Sequence, residues 1–506
     1  MSFPVFDILQ RRAELGPDRV AMEELTSGVS LNYLHMHQRT SATAVLLANL
    51  GLEAGDRLAV LCRNRIEFFE LLFACARLGI IMVPLNWRMP ADELLPLMND
   101  CGAQCLIHGS EDEAVAGALD AALVSLSTLN LDEKGNSGFC GQRDAVERSQ
   151  TQFAGRTFWP SDEAWYLLYT SGTTGQPKAV IQTYGMAIAN YVNITQATGL
   201  RADDTTLNYL PLFHTGGINL VTLPALILGG RVLITPGFEL DCTIDLLEKG
   251  ELDTFFGVPA IYQAISLHQR FDELDLSHVR SWACGGAPLA DKLFEQFAAK
   301  GATVLNGMGM TETGPTLFLM DEDRAADKIG SVGKPQLLAS VRLVDADGQD
   351  VACGESGELW FSGLGITPGY YNNPEATRQA FAEGNWLRSG DLGQQDEDGY
   401  YYIVGRLKDM YISGGENVYP AEVENHLAEH PDILEAAVIG IADEKWGEVG
   451  CAYVLARPAR TLPSAEQLSN YCRQRLAAYK VPKVFIAVDE FPRTAAGKVQ
   501  KHLLAD

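Results

Sequence analysis

Apolar residues fall in short runs separated by longer amphipathic stretches, and this rhythm holds from about Tyr166 to Thr313. "AWYLLYT" (164–170) predicts a short buried strand. "DTFFGVPAIYQAISL" (253–267) predicts a strand and then a helix, with Pro259 suited to the first helical turn. "VRSWACGGAPLADKLFEQFAAKG" (279–301) reads as strand, glycine turn and helix, with Gly301 as a C-cap. "ATVLNGMGMTE" (302–312) reads as strand and loop. "AVLCRNRIEFFELLFACARLGIIMVPLN" (59–86) repeats the style near the N-terminus. Strands alternating with helices predict an α/β protein whose sheets are mostly parallel.

The texture changes after about residue 335. "SVRLVDADGQDV", "GESGELWFSG" and "GYYYIVGR" are strands separated by Asp/Gly turns, which predicts an antiparallel β module. From Asp409 the chain reads as a small α+β unit. "YPAEVENHLAEH" and "SAEQLSNYCRQRLAAY" are its helices; "EAAVIGIAD", "GCAYVLA" and "KVFIAVDEF" are its strands. The expected division is a large domain over 1–405, a junction at 406–408 and a small domain over 409–506.

The chain has 506 residues, 47% of them hydrophobic, which suits a multidomain globular protein with a large core. No low-complexity tract or fixed-period repeat is present. The opening "MSFPVFDILQRRAELGPDRVAM" predicts a short amphipathic helix and lacks a signal peptide's apolar stretch. No uncharged apolar run reaches the roughly 20 residues of a membrane span, so a cytoplasmic protein is expected. Ten scattered cysteines without a CxxC pair predict free thiols; Cys101 and Cys105 suit one helix face, but no second pair completes a zinc site. Lys plus Arg is 39 against 65 Asp plus Glu, a net charge of −26. That surface repels nucleic acid and anionic membranes. An anionic small ligand needs a site that gathers positive charge and backbone N–H groups.

One stretch does so. "YLLYTSGTTGQPKAV" (166–180) ends an apolar strand in Thr170, Ser171, Gly172, Thr173, Thr174 and Gly175 and closes with Lys178. Small residues let backbone approach a ligand, hydroxyls and N–H groups donate to phosphate oxygens, and the lysine adds charge. It is not a Walker A loop, because Ala179 follows Lys178. An exposed Ser/Gly linker is the bland alternative. The order of residues in "YTSGTTGQPKAV" resembles the signature loop of the ANL superfamily: acyl-CoA synthetases, adenylation domains of peptide synthetases, and luciferases. Later signatures appear in order: "CGGAPL" (284–289), "NGMGMTETGP" (306–315), "WLRSGDLG" (386–393), "GRLKDMYISGGENVYPAEVE" (405–424) and "PRTAAGKVQK" (492–501). The resemblance covers nearly the whole chain.

The resemblance implies a fold: a large N-terminal domain of mostly parallel sheets with helices plus a β module, and a small mobile α+β C-terminal domain. It implies a chemistry that uses ATP, Mg²⁺ and coenzyme A. A carboxylate attacks the α-phosphate, giving acyl-adenylate and pyrophosphate, and the CoA thiol then displaces AMP. It also implies roles for individual residues. The loop from Thr170 to Lys178 holds phosphates, Thr311 touches the α-phosphate, and Glu312 is the magnesium ligand. Gly285, Gly286, Ala287 and Pro288 wall the adenine slot. Met308 stands where the family usually has an aromatic ring against adenine; methionine can still pack there. Asp391 grips the ribose diol with Arg406 beside it. Lys498 bridges carboxylate and α-phosphate during adenylation. Lys408 is the hinge, and Gly414 and Gly415 let the pantetheine arm pass. Some of Lys480, Lys483, Arg493 and Lys501 can meet CoA phosphates, although a solvated role suits any single one.

In "LPLFHTGGINL" (210–220), His214 stands at the pocket mouth by the same resemblance, with Gly216 and Gly217 just after it. Trp282, Cys284, Gly307, Gly309, Gly314 and Pro315 are the further expected lining. No Arg or Lys is evident for a second carboxylate and no Asp for a substrate amine. The glycines suggest a roomy pocket. The expected substrate is a hydrophobic monocarboxylic acid, either a medium or long fatty acid or an aryl acid. An enzyme that loads a carrier protein in trans and a non-catalytic nucleotide-binding relative stay open as alternatives, as does a homodimer.

Overall fold

The computed structural model describes residues 2–133, 137–149, 153, 155–170, 177–286, 289–493 and 499–504. Ser171, Gly172, Thr173, Thr174, Gly175, Ala287, Pro288 and Lys498 lie outside the described residues.

Two large sheets carry the first two thirds of the chain. The first has the spatial order Lys178–Thr183, Ala164–Thr170, Ile81–Pro84, Arg57–Leu61, Cys105–His108, Ser127–Asn130. Its pairings are parallel except for the hairpin of Lys178–Thr183 on Ala164–Thr170. The second runs Lys334–Pro335, Phe318–Leu319, Val304–Met308, Ser281–Cys284, Thr254–Gly257, Thr205–Asn208, Arg231–Ile234, Val20–Glu24, Val29–Asn32. It is parallel from Val304–Met308 to Val20–Glu24 and antiparallel at both ends.

The helix Ile66–Leu78 explains how such sheets stay dry. Eleven of its thirteen residues are buried, nine of them apolar, as befits a helix enclosed on most sides. Its phenylalanines join one core with residues of both sheets, Leu58 and Leu168 from the first and Met22 and Val232 from the second. Its buried charges are paired: Glu70 with Arg39 at 2.7 Å and Arg143 at 2.8 Å, and Arg77 with Asp7 at 2.6 Å. Gly79, at φ 75°, ends the helix in a left-handed turn.

The β module is the expected antiparallel sheet, in the order Ala339–Val344, Gly357–Gly363, Trp386–Gln395, Phe381–Ala382, with Tyr401–Arg406 also on Trp386–Gln395. From Tyr411 the strands Tyr411–Ser413, Glu416–Val418, Ile433–Asp443, Gly447–Ala456 and Val484–Val488 form a separate sheet. The helices Pro420–Ala428 and Ala465–Cys472 share a core with it.

Three local expectations need correction. The opening helix covers only Ile8–Leu15, because Pro4–Phe6 pairs instead with the strand Phe158–Pro160. The last predicted helix stops at Cys472, and Leu476 packs on the C-terminal core from the turn beyond it. Cys101 and Cys105 do not share a helix: one ends the helix Ala91–Cys101 and the other begins the strand Cys105–His108. All ten cysteines are free. Among the described residues, no helix is long and apolar enough to cross a membrane.

Candidate active site

The expected site residues gather where parallel strands end. Ala164–Thr170, Thr205–Asn208, Thr254–Gly257, Ser281–Cys284 and Val304–Met308 all finish on the side that carries Thr170, His214, Gly285 and Met308. In open α/β sheets this carboxyl-end crevice is where ligands sit.

Thr170 and Lys178 are register partners across the hairpin, and the Thr170 hydroxyl lies 3.4 Å from the Lys178 carbonyl. Residues 369–371 run alongside this hairpin: the Ile181 N–H donates to the Gly369 carbonyl at 3.1 Å and the Tyr371 N–H to the Ala179 carbonyl at 2.8 Å. Tyr370 is thereby brought under Lys178, whose ammonium is 5.1 Å from the ring centroid. The Tyr370 hydroxyl donates to Glu312 Oε1 at 2.9 Å. The Glu312 carbonyl accepts from the Thr367 N–H at 2.8 Å. Lys178, Tyr370 and Glu312 therefore form one constellation. Burial pushes the Glu312 carboxyl above the usual range; the Tyr370 hydroxyl, Arg406 and Lys178 pull it the other way. A buried carboxylate with this need for positive charge fits a bound divalent cation. Among the described residues no cluster of three or more metal-ligating side chains exists. Mg²⁺ is typically held by one or two carboxylates and shared with substrate phosphates.

Arg406 and Asp391 face each other across adjoining strands, Nε to Oδ1 at 2.8 Å, with Asp391 buried. Met308 packs partly buried against the core of the β module. Thr311 opens a short 3-10 turn with Glu312 and Thr313. Lys408 is exposed between Tyr401–Arg406 and Tyr411–Ser413.

The glycines divide into two kinds. A Cβ on Gly307 would stand 2.9 Å from Leu319 and from the Phe318 carbonyl, and one on Gly309 would fall on the Pro315 carbonyl. A Cβ on Gly217 would strike the Leu210 and Pro211 carbonyls. These positions serve close backbone packing and do not add pocket space. Gly216 and Gly286 are open, with nearest neighbours at 3.5 and 3.6 Å. Gly314 adopts φ 71° beside Pro315.

Trp282 and Cys284 are not lining residues. The strand Ser281–Cys284 turns alternate residues to opposite faces. Trp282 and Cys284 point into the core with Tyr262 and Phe297. Ser281 and Ala283 face a small apolar cavity, bounded also by Ile194, Leu220, Val221 and Phe256. The Phe256 ring stands between this cavity and Gly285, whose hypothetical Cβ it would meet at 3.2 Å. His214 is half-buried, its ring 4.6 Å from that of Phe213, and it precedes a π-helical turn over Gly216–Leu220. π-turns are rare and tend to mark functional places.

Tyr370 and Asn306 enter the site from structure alone, and Trp446 stands out on the small domain. Tyr370 sits in a Gly/Pro/Asn-rich loop that reads as a turn. Asn306 is the register partner of Cys284, and its Oδ1 is buried without a hydrogen-bond partner. Trp446 is 39% exposed and packs over Gly414, with the ammonium groups of Lys445 and Lys483 at 4.8 and 5.3 Å from its ring. A tryptophan among charges in "DEKWGE" was the one available signal.

Residues 9–371 match the family model described as AMP-binding enzyme, and residues 422–498 match the AMP-binding enzyme C-terminal domain. A feruloyl-CoA synthase of an Amycolatopsis species is 38% identical, over 97% of this chain and 96% of that protein. A long-chain-fatty-acid–CoA ligase of Mycobacterium tuberculosis is 35% identical, over 99% and 97%. The solved structure of the o-succinylbenzoate CoA synthetase of Bacillus subtilis, in complex with ATP and magnesium, superposes with a TM-score of 0.86 at 30% identity and covers 100% of both chains.

Proposed function

Because the chain belongs to the family of AMP-binding enzymes, we propose that it joins a hydrophobic monocarboxylic acid to coenzyme A at the site just described. It is an AMP-forming acid–CoA ligase that uses ATP, Mg²⁺ and CoA. The observation that carries the reading is the convergence of Lys178 and Tyr370–Glu312 in one crevice, with Arg406 close enough to act on Glu312 while it pairs with Asp391.

In the first half-reaction a carboxylate oxygen of the acid attacks the α-phosphorus of ATP and pyrophosphate leaves. Lys178, with the loop that precedes it, holds the phosphates. Glu312 would hold Mg²⁺ together with them, and the ion would supply charge neutralisation for the departing pyrophosphate. Thr311 contacts the α-phosphate. The two Asp391 oxygens match a cis-diol, and the Arg406 ion pair holds that carboxylate in place. The unpartnered Asn306 oxygen accepts from the adenine amino group beside Gly285 and Gly286, with Met308 packing nearby. His214 receives the carboxylate at the pocket mouth. Lys498 supplies the remaining positive charge between carboxylate and α-phosphate. No covalent enzyme intermediate is needed; positioning and charge stabilisation suffice.

In the second half-reaction the CoA sulfur attacks the acyl carbon and AMP leaves. Trp446 offers an exposed aromatic face and Lys445 and Lys483 flank it, a surface suited to the base and phosphates of CoA. Gly415, with nothing near it among the described residues, leaves room for the pantetheine arm, while Gly414 lies under the Trp446 ring. The division into 1–405 and 409–506, with the hinge at Lys408, lets the two steps use different faces of the small domain.

The apolar lining of the cavity behind Phe256 suits the hydrophobic end of the acid, aryl or alkyl. The test is pyrophosphate release with ATP and Mg²⁺ across fatty and aryl acids, each with and without CoA. Acid-dependent release that turns over only with CoA is expected. A single stoichiometric burst indifferent to CoA would reassign the acceptor to a carrier protein. No release with any acid would overturn the reading.

A further inference from the structure

A chain of buried amide side chains runs beneath the crevice, and neither half-reaction uses it. Gln182 is fully buried; its Nε2 donates to the Thr311 carbonyl at 2.9 Å and its Oε1 accepts from Asn219 Nδ2 at 3.3 Å. Asn219, equally buried, also donates to Thr215 Oγ1 at 3.0 Å and accepts from the Tyr166 hydroxyl. Its carbonyl accepts from Asn190. One layer away, Asn208 donates to the Gly217 carbonyl at 2.8 Å and to Thr222 Oγ1 at 2.7 Å.

Burying amides is costly unless their bonds are made, and a well-packed apolar side chain would fill the same space without that demand. Their polarity therefore serves to hold particular backbone groups. At one end is the π-turn Gly216–Leu220, which begins just beyond His214. At the other is the Thr311 carbonyl, immediately before Glu312. Gln182 itself lies on the strand Lys178–Thr183, on the same face as Lys178 by the alternation of a strand. One carboxamide thus ties the element bearing the phosphate-binding lysine to the turn bearing Glu312 and to the turn below the pocket mouth.

We infer that Gln182 and Asn219 are positioning residues for adenylation. They touch no substrate. They fix the distance between the place where the carboxylate enters and the place where the phosphates are gripped. The inference rests on the ligase reading above. Adenylation needs that distance, since a displacement near 1 Å costs about 10²-fold in rate. Thioester formation from a finished acyl-adenylate does not, because the carboxylate and phosphate are by then one molecule.

The experiment measures both half-reactions and the melting temperature for Gln182→Met, Asn219→Leu and the double variant. For Gln182→Met, the kcat of acid-dependent pyrophosphate release is expected to fall roughly 10- to 100-fold. The KM for ATP and the rate of thioester formation from supplied acyl-adenylate should stay within about threefold. The double variant should lose little more than either single one, because both break the same link. Parallel loss of both half-reactions, additive losses, or an undiminished kcat in folded Gln182→Met would overturn the inference. If the core variants do not fold, Thr215→Val removes one acceptor of Asn219 at the half-buried end and carries the same test. A wild-type protein without acid-dependent release would overturn the ligase reading and this inference together; an active wild type beside an unimpaired variant overturns this inference alone.

Discussion

The hydroxyl of Tyr370 reaches Glu312 at 2.9 Å while Lys178 lies over the same ring, so one phenol organises an anion and a cation at once. Tyr370→Phe keeps the ring and removes the bond to a buried carboxylate, worth about 1.5–3 kcal/mol for a charged partner. The Mg²⁺ concentration for half-maximal pyrophosphate release is expected to rise ~10-fold, with the fold intact by melting temperature; an unchanged Mg²⁺ dependence would count against Glu312 as the ligand. Lys178, Glu312, Asp391 and Arg406 were legible in the sequence because each stands inside a contiguous signature. Tyr370 and Asn306 were not. The one acquires its role through residues 369–371 lying alongside the hairpin strand Lys178–Thr183, and the other through a buried oxygen that only the packed state leaves unpartnered.

At the scale of the strand, Ser281–Cys284 separates stability from specificity by alternation alone. Trp282→Ala removes a side chain packed against Phe255, Tyr262 and Phe297 and is expected to cost about 3–5 kcal/mol, read from denaturant unfolding. Ala283→Leu fills the cavity on the other face instead. It should raise the KM for bulky acids about 10-fold or more while leaving the KM for ATP alone; equal effects on both would place the cavity outside the acid's path. The sequence did not disclose this division. A strand buried on both faces is apolar throughout, so its text lacks the polar beat that would set the phase. The same holds for the glycines: the letters permit a roomy pocket, while Gly307, Gly309 and Gly217 are filled by neighbouring backbone.

At the scale of the whole molecule, the two half-reactions should respond oppositely to substitutions in the small domain. Trp446→Ala removes a stacking face worth about 1–3 kcal/mol per base, so the KM for CoA is expected to rise ~10-fold with adenylation unchanged. Lys498→Ala should do the reverse, slowing adenylation roughly 10²–10³-fold while thioester formation from supplied acyl-adenylate persists. If both variants impair the same step, the division at 406–408 fails as a functional boundary. The α/β rhythm, the β module and the small α+β unit were all readable as local pattern. The partnership of the N-terminal hairpin was not, because pairing between distant segments leaves no local trace. Val20–Glu24 completes the second sheet by lying beside Arg231–Ile234, with Met22 opposite Val232. On a ribosome adding ~5–20 residues per second, Met22 is made roughly 10–40 s before its partner. Until then Val20–Glu24 and Val29–Asn32 have only each other, and a lone two-stranded hairpin is barely stable in water. The nascent chain thus carries an open strand edge through nearly half of its synthesis, and its earliest β-structure is among the last to be secured.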